Sequence, residues 1–212
     1  MDKAERIRNE KLGASLVKAL ALRHFDAYYC ASASEAAEKI LSLIPKTDVV
    51  SWGGSMTMEA LGVIDRVKKD GRRVIDRSTA QSQEEKIEIM RRALLCDTYL
   101  TGANAISEDG EIVNVDGNGN RVAAMTFGPK SVIVACGMNK VVKTAEDALS
   151  RARNTAAPVN AQRFDIRTPC KTTGTCADCK STDSICTYIV RTRLCKPAGR
   201  IKVVLIGEAL GF

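Results

Sequence analysis

Residues 99 to 140, YLTGANAISEDGEIVNVDGNGNRVAAMTFGPKSVIVACGMNK, carry the reading that decides the fold. Two apolar runs in this stretch, Tyr99 to Leu100 and Val132 to Cys136, stop at small or amide residues. Thr101, Gly102, Ala103 and Asn104 follow the first; Gly137, Met138, Asn139 and Lys140 follow the second. Short apolar runs bounded in this way read as buried strands. Their ends are then candidate site positions, because ligands of open α/β sheets collect beyond the carboxyl ends of the strands. Between the runs, Asp109 and Gly110 signal a tight turn and Ile112 to Val115 a short strand. A second polar turn, Asp116, Gly117, Asn118, Gly119 and Asn120, leads to Arg121. Asp116, Asn118, Asn120 and Arg121 are ligand-binding candidates, while two ordinary turns in a β-rich connection account equally well for the turn chemistry alone.

Upstream of this stretch, Asp48 to Trp52 reads as a strand that delivers the chain into Gly53, Gly54, Ser55, Met56 and Thr57. A helix carrying Ala60, Val63, Ile64 and Val67 follows. Backbone N–H groups and hydroxyls at such a turn suit an anion. The simpler alternative is a strand-to-helix turn with Ser55 or Thr57 as N-cap. Neither GxxxxGK[ST] nor GxGxxG is present. Nearer the start, residues 3 to 22 predict an amphipathic helix, Phe25 to Cys30 a strand, and Ser32 to Glu35 a capping box for a helix that Pro45 closes. Gly71 ends the helix after the glycine loop, Val74 to Asp76 is a further strand, and Ser82 to Glu85 caps a helix with Ile87, Met90 and Leu94.

Downstream, Thr144 to Asp147 opens a helix with Ala145, Ala148, Leu149 and Ala152 facing inward, which Pro158 is expected to stop. An irregular cysteine-bearing segment follows. Ile201 to Ile206 is too apolar for a peripheral strand, so the cysteine segment is an excursion from the sheet. Strands alternating with helices predict a three-layer α/β fold with a mainly parallel sheet. The expected division is an N-terminal helical segment, 1–46, packed on an α/β domain, 47–212, with a cysteine-rich insertion at 164–198. The leading helix packs on this domain or on a second subunit, which leaves a homo-oligomer open.

Among the 212 residues, 45% are hydrophobic and 27% charged, which places the chain among ordinary globular proteins. With no apolar run of about 18 residues and no signal-like start, neither a membrane span nor export is expected, and the location is expected to be cytoplasmic. Five of the seven excess positive charges fall between Val159 and Arg200, where eight basic residues face three acids. Such a segment attracts an anionic metabolite, an acidic protein or nucleic acid. Aromatics are only 4% and do not interleave with the basic residues, so single-strand nucleic acid is not the expected partner.

Cys30, Cys96 and Cys136 lie in or beside apolar runs and read as core residues. Cys170, Cys176, Cys179 and Cys186 form a cluster spanning seventeen residues, with Cys195 as a spare. In a chain without export signals, a CxxC pair with two flanking thiols fits a tetrathiolate site for zinc or an iron–sulfur cluster. Disulfides or free thiols are the alternatives. The spacing matches neither the bacterial ferredoxin run nor paired zinc-ribbon motifs, so the metal stays unresolved at this level. No Ser-His-Asp set and no HExxH motif is present. Lys140, at a strand end, is the leading catalytic candidate as base or nucleophile, against the alternative of a solvated surface lysine. Glu208, after the last strand, is the second.

In order, GGSMT (53 to 57), TGANAI (101 to 106), NVDGNGNR (114 to 121), FGPK (127 to 130), GMNK (137 to 140), AAPVNAQR (156 to 163), the cysteine motif from Pro169 to Cys179 and GEALGF (207 to 212) resemble the lactate-utilisation (LUD) domain family. That family is similar in fold to the ribose-5-phosphate isomerase, glucosamine-6-phosphate deaminase and coenzyme A transferase group. There the glycine and hydroxyl loop after the first core strand holds a phosphate or acyl-group substrate, which implies the same role for Gly53 to Thr57. The resemblance also implies service in oxidation of L-lactate to pyruvate alongside iron–sulfur partner proteins, and it tilts the cysteine cluster towards iron–sulfur. Two other readings stand beside it. One is an isomerase or acyl-transfer enzyme on the same fold without a redox role; the other is a metal-containing interaction module.

Overall fold

The computed structural model describes residues 2–212. In chain order the elements begin with α1 (Lys3–Leu22), β1 (Asp26–Cys30), α2 (Ala33–Ser42), β2 (Val50–Trp52), α3 (Met56–Ala60), α4 (Val63–Lys69), β3 (Val74–Ile75) and α5 (Gln83–Arg92). The central stretch supplies β4 (Thr98–Gly102), β5 (Ala105–Ser107), β6 (Ile112–Asp116), α6 (Asn120–Thr126) and β7 (Ser131–Gly137). After it come β8 (Val141–Val142), α7 (Ala145–Arg151), a π turn at Ala152–Ala156, α8 (Ala157–Ala161), α9 (Pro169–Thr173), β9 (Tyr188–Thr192) and β10 (Ile201–Ile206).

Six strands form one sheet in the order β1-β10-β7-β4-β2-β3, and every neighbouring pair is parallel. The apolar runs explain why. In β4, β7 and β10 successive side chains alternate between two cores, so both faces must be apolar. Tyr99, Val132, Val134, Val203 and Leu205 point to one core with Leu16 and Leu20 of α1 and Met125 of α6. Leu100, Ile133, Ala135, Val204 and Ile206 point to the other, under Ile40 of α2, Met58 of α3 and Val67 of α4. Helices thus cover both faces, giving the three-layer α/β arrangement that the alternation of elements predicts. β1 is one of the two edge strands of this sheet, so the first 46 residues share its core with the rest.

A second sheet, β8-β5-β6-β9, grows out of the central stretch. Asp109 and Gly110 make the turn between antiparallel β5 and β6, as the sequence predicts. Val113 and Val115 pack there against Ala148 and Ala152.

Four local expectations change. The helix after the glycine loop is two short helices, α3 and α4, separated at Leu61 and Gly62. The polar turn ends in α6, a helix the turn residues conceal. Pro158 does not stop the helix begun at Thr144: the chain passes through the π turn and places Pro158 in the first turn of α8, where a missing N–H costs nothing. The cysteine segment is not wholly irregular, because β9 runs antiparallel to β6 along its full length, Asp116 beside Tyr188 to Ile112 beside Thr192.

Leu205 is fully buried on β10, whereas Leu149, expected to face inward, is 38% exposed. Leu205→Ala should cost about 2–5 kcal/mol, lowering Tm by about 2–4 °C for each kcal/mol. Leu149→Ala should stay within about 0.5 kcal/mol. Thermal and denaturant melts of the two variants check this.

Candidate anion-binding site

Parallel strands end on one edge, and register brings these ends together: Trp52 beside Leu100, Gly102 beside Ala135, Gly137 beside Ile206. The three segments expected to meet there do so. Lys140 Nζ donates to Thr57 Oγ1 at 2.8 Å and to the Ala103 carbonyl at 3.4 Å. Gly102 has no Cβ because one would come within 2.8 Å of Ser55 Oγ, which locks the two loops together.

Lys140 is not a solvated surface lysine, being only 3% exposed. Burial lowers its pKa, and the positive charges of Arg151 and Arg121 act in the same direction against the opposing influence of Cys136. Among the described residues no carboxylate pairs with it.

Several candidates build the site. Arg121 is buried and its guanidinium is consumed: Nη1 donates to the Gly102 carbonyl and Asn114 Oδ1, Nη2 to Asn104 Oδ1 and the Val115 carbonyl, and Nε lies 3.6 Å from Asp116. Asp116 accepts from Gly119 N and Val122 N and so shapes the turn into α6. Asn104 also accepts from Val115 N. Thr101 is fully buried. Gly53 leaves room for Arg121, whose Cδ would lie 3.1 Å from a Cβ there.

The loop hydroxyls are also engaged. Ser55 caps α3 by accepting from Met58 N at 3.2 Å, as the simpler sequence alternative has it. Thr57 donates to the Leu210 carbonyl at 3.2 Å. Asn139 grips the same segment, donating to the Gly211 carbonyl and accepting from Leu210 N. Glu208 is half-exposed and does not line the cleft.

The cleft itself has a volume of about 450 Å³ and is lined by Gly54, Ser55, Thr57, Gly102, Asn104 and Lys140, by Asp116, Asn118, Asn120 and Arg121, and by residues the sequence reading missed. These are chiefly Arg77, Lys86, Arg163 and the stretch Thr182 to Ile185. Five cations line it against two acids, Asp116 and Asp183, and both acids are already engaged: Asp183 accepts from Arg167 N. Arg77 and Lys86 form no ion pair among the described residues, while Arg163 lies 3.9 Å from Glu59. Arg77 sits just beyond the carboxyl end of β3, so the strand-end rule that selected the other loops would have found it had β3 been given the same weight.

The cysteine segment forms one wall. Ile185 packs on Gly117, and the Tyr188 ring lies against Gly119, whose φ of 80° and whose 2.9 Å clearance to that ring both require glycine. Cys170, Cys176, Cys179 and Cys186 are all half-buried free thiols. Burial and the charges of the other three push Cys186 up to about 11. Four sulfur donors so close in sequence are a set that suits a thiophilic cation. Among the described residues, however, no three His, Cys, Asp or Glu side chains converge on a single point. Cys30, Cys96, Cys136 and Cys195 are buried in the core. No helix is long and apolar enough to cross a membrane among the described residues.

The sequence matches the LUD domain family over residues 14–206. No curated protein gives a match. Of solved structures, a DUF162 family protein from Deinococcus radiodurans aligns over 95% of this chain and 97% of its own, with a TM-score of 0.52 and 15% identity. Ribose 5-phosphate isomerase A from Neisseria gonorrhoeae aligns over 52% of each chain (TM-score 0.35, 16% identity). The Methanocaldococcus jannaschii enzyme of that name aligns over 55% of this chain and 56% of its own (0.36, 15%).

Since Lys140 has a lowered folded pKa, the unfolded chain binds the extra proton and stability must rise as pH climbs from that pKa towards about 10.4. Below it the cost of the buried charge is present in full. Lys140→Met should therefore be more stable than the parent at pH 7, with the advantage shrinking as pH is raised. Denaturant titrations between neutral and alkaline pH measure this; a variant less stable at pH 7 contradicts the assigned burial.

Proposed function

Because the chain belongs to the LUD domain family, we propose that it binds a small anionic metabolite or cofactor in this cleft and serves the oxidation of lactate or a related organic acid. The observation that carries the reading is the buried, carboxylate-free Lys140 in a cleft whose five cations outnumber two occupied acids. A carboxylate or phosphate placed there supplies the missing counter-charge. Each charge-assisted hydrogen bond it makes contributes about 1.5–3 kcal/mol. Lys140 would hold the anion at the floor, with Arg77, Lys86 and Arg163 at the mouth. When uncharged, the Lys140 amine can take a proton from a substrate hydroxyl or carbon acid, which burial makes accessible nearer neutral pH.

Cys170, Cys176, Cys179 and Cys186 would hold the metal centre, iron–sulfur or zinc. An iron–sulfur centre would supply one-electron transfer, passing electrons to iron–sulfur partner proteins. A second reading, isomerase or acyl-transfer chemistry at Lys140 without a redox role, is favoured by the lowered pKa of that amine.

Isothermal titration of the purified protein with phosphate, L-lactate and pyruvate tests the site. At least one should bind, and Arg163→Ala or Lys86→Ala should each weaken it roughly tenfold. Absence of anion binding overturns the reading. Metal and sulfide analysis with an optical spectrum, on protein prepared without oxygen, tests the cysteines. Iron with sulfide supports the redox role, zinc alone favours the second reading, and metal retained by a combined Cys176→Ala and Cys179→Ala variant removes the ligand assignment.

A further inference from the structure

The cationic cleft is not a closed chamber. Gln83, Met90, Asn118 and Asn120 line it and also line a second groove of about 710 Å³ between α5, α6 and β9. The character changes along this path. The cleft end carries Lys140, Arg163, Arg77 and Lys86. At the junction stand three carboxamides, from Gln83, Asn118 and Asn120, each offering donors and acceptors. The groove end is mainly apolar, with Ile87, Met90, Leu94 and Val122 lining it along with the phenol ring of Tyr188, besides Arg91 and Thr126. That ring is 48% exposed and lies against Gly119, so it presents an accessible aromatic surface.

Resting on the anion-site reading above, we propose that the ligand spanning cleft and groove is a nucleotide, with its phosphates in the cleft, its ribose at the carboxamides and its base against Tyr188. A three-carbon acid would fill only the cationic end and leave the groove unexplained. Phosphate charge matches the surplus cations, hydroxyl-rich ribose matches amides that both donate and accept, and a planar base matches a half-exposed ring flanked by aliphatic side chains. Together the two spaces are on the scale of pockets that enclose ligands of nucleotide size.

Titrating the full chain with pyrophosphate, adenosine, ADP, GDP and UDP tests the proposal. At least one nucleotide should bind ten times or more tighter than pyrophosphate and compete with it. Tyr188→Ala should then lower nucleotide affinity roughly tenfold while leaving pyrophosphate affinity unchanged, as expected for loss of one base–aromatic stack. Because Tyr188 also contacts the turn before α6, Ile87→Asn, at a partly exposed position on α5, serves as a second variant with the same expected pattern. Pyrophosphate binding with no gain from any nucleotide, or equal weakening of both ligands in both variants, overturns the nucleotide assignment and leaves the anion site standing. Failure of pyrophosphate and nucleotides alike overturns the nucleotide assignment, and the anion site falls with it when phosphate, L-lactate and pyruvate also fail to bind.

Discussion

The buried guanidinium of Arg121 connects what would otherwise be separate pieces. Through Gly102 it holds the end of a central strand of the main sheet, and through Asn114 and Val115 it holds the second sheet; Asn104, in the link between the sheets, shares the same group. The connection is stringent because a guanidinium loses its hydration on burial and must find acceptors for its donors in the geometry they impose. Here carbonyl and amide oxygens do most of that, and Asp116 supplies the neighbouring charge. One side chain's hydrogen bonds thus tie the two sheets together beside the cleft.

A consequence is that the cations at the edge fall into two kinds. Arg121 is fully committed to protein oxygens. Lys140 has a hydroxyl and a carbonyl but no carboxylate, so its charge is solvated by dipoles alone. That is a costly arrangement in a buried position, of a kind that clusters at functional sites. The cysteine segment bears on this region physically: its residues contact Gly117 and Gly119, and β9 pairs with β6, so whatever orders the thiols also fixes a wall of the cleft.

Much of this was legible in the chain. Doubly apolar runs with glycine or amide ends can be little else than buried parallel strands, and Thr101 to Asn104, Gly53 to Thr57 and Asn139 with Lys140 converge as those ends require. Three features were hidden for identifiable reasons. α6 has only seven residues and follows a run of Asn and Gly whose turn signal outweighs its periodicity. β9 reads YIVRT among polar neighbours and leaves Tyr188 and Ile189 half-exposed, so no buried pattern marks it. Lys86 and Arg163 are surface-type residues that carry no local signature; only the three-dimensional path of the chain brings them to one opening with Arg77. The roles of Arg121 and Ser55 were invisible for a related reason, since sequence shows which side chains carry polar atoms but not which of those atoms are already taken.

The strand order also imposes a sequence of events on synthesis. β10 lies between β1 and β7, yet it is made long after both, behind the whole cysteine segment. Until it emerges, β1 with its covering helices has no neighbour in the sheet, and the apolar edge of β7 that β10 will occupy is open. Parallel pairing across such separation is slow and leaves unpaired edges exposed while the chain waits. The four clustered thiols are therefore out of the ribosome while the sheet is still unclosed, a stage in which both the sulfurs and the future core are open to the surroundings.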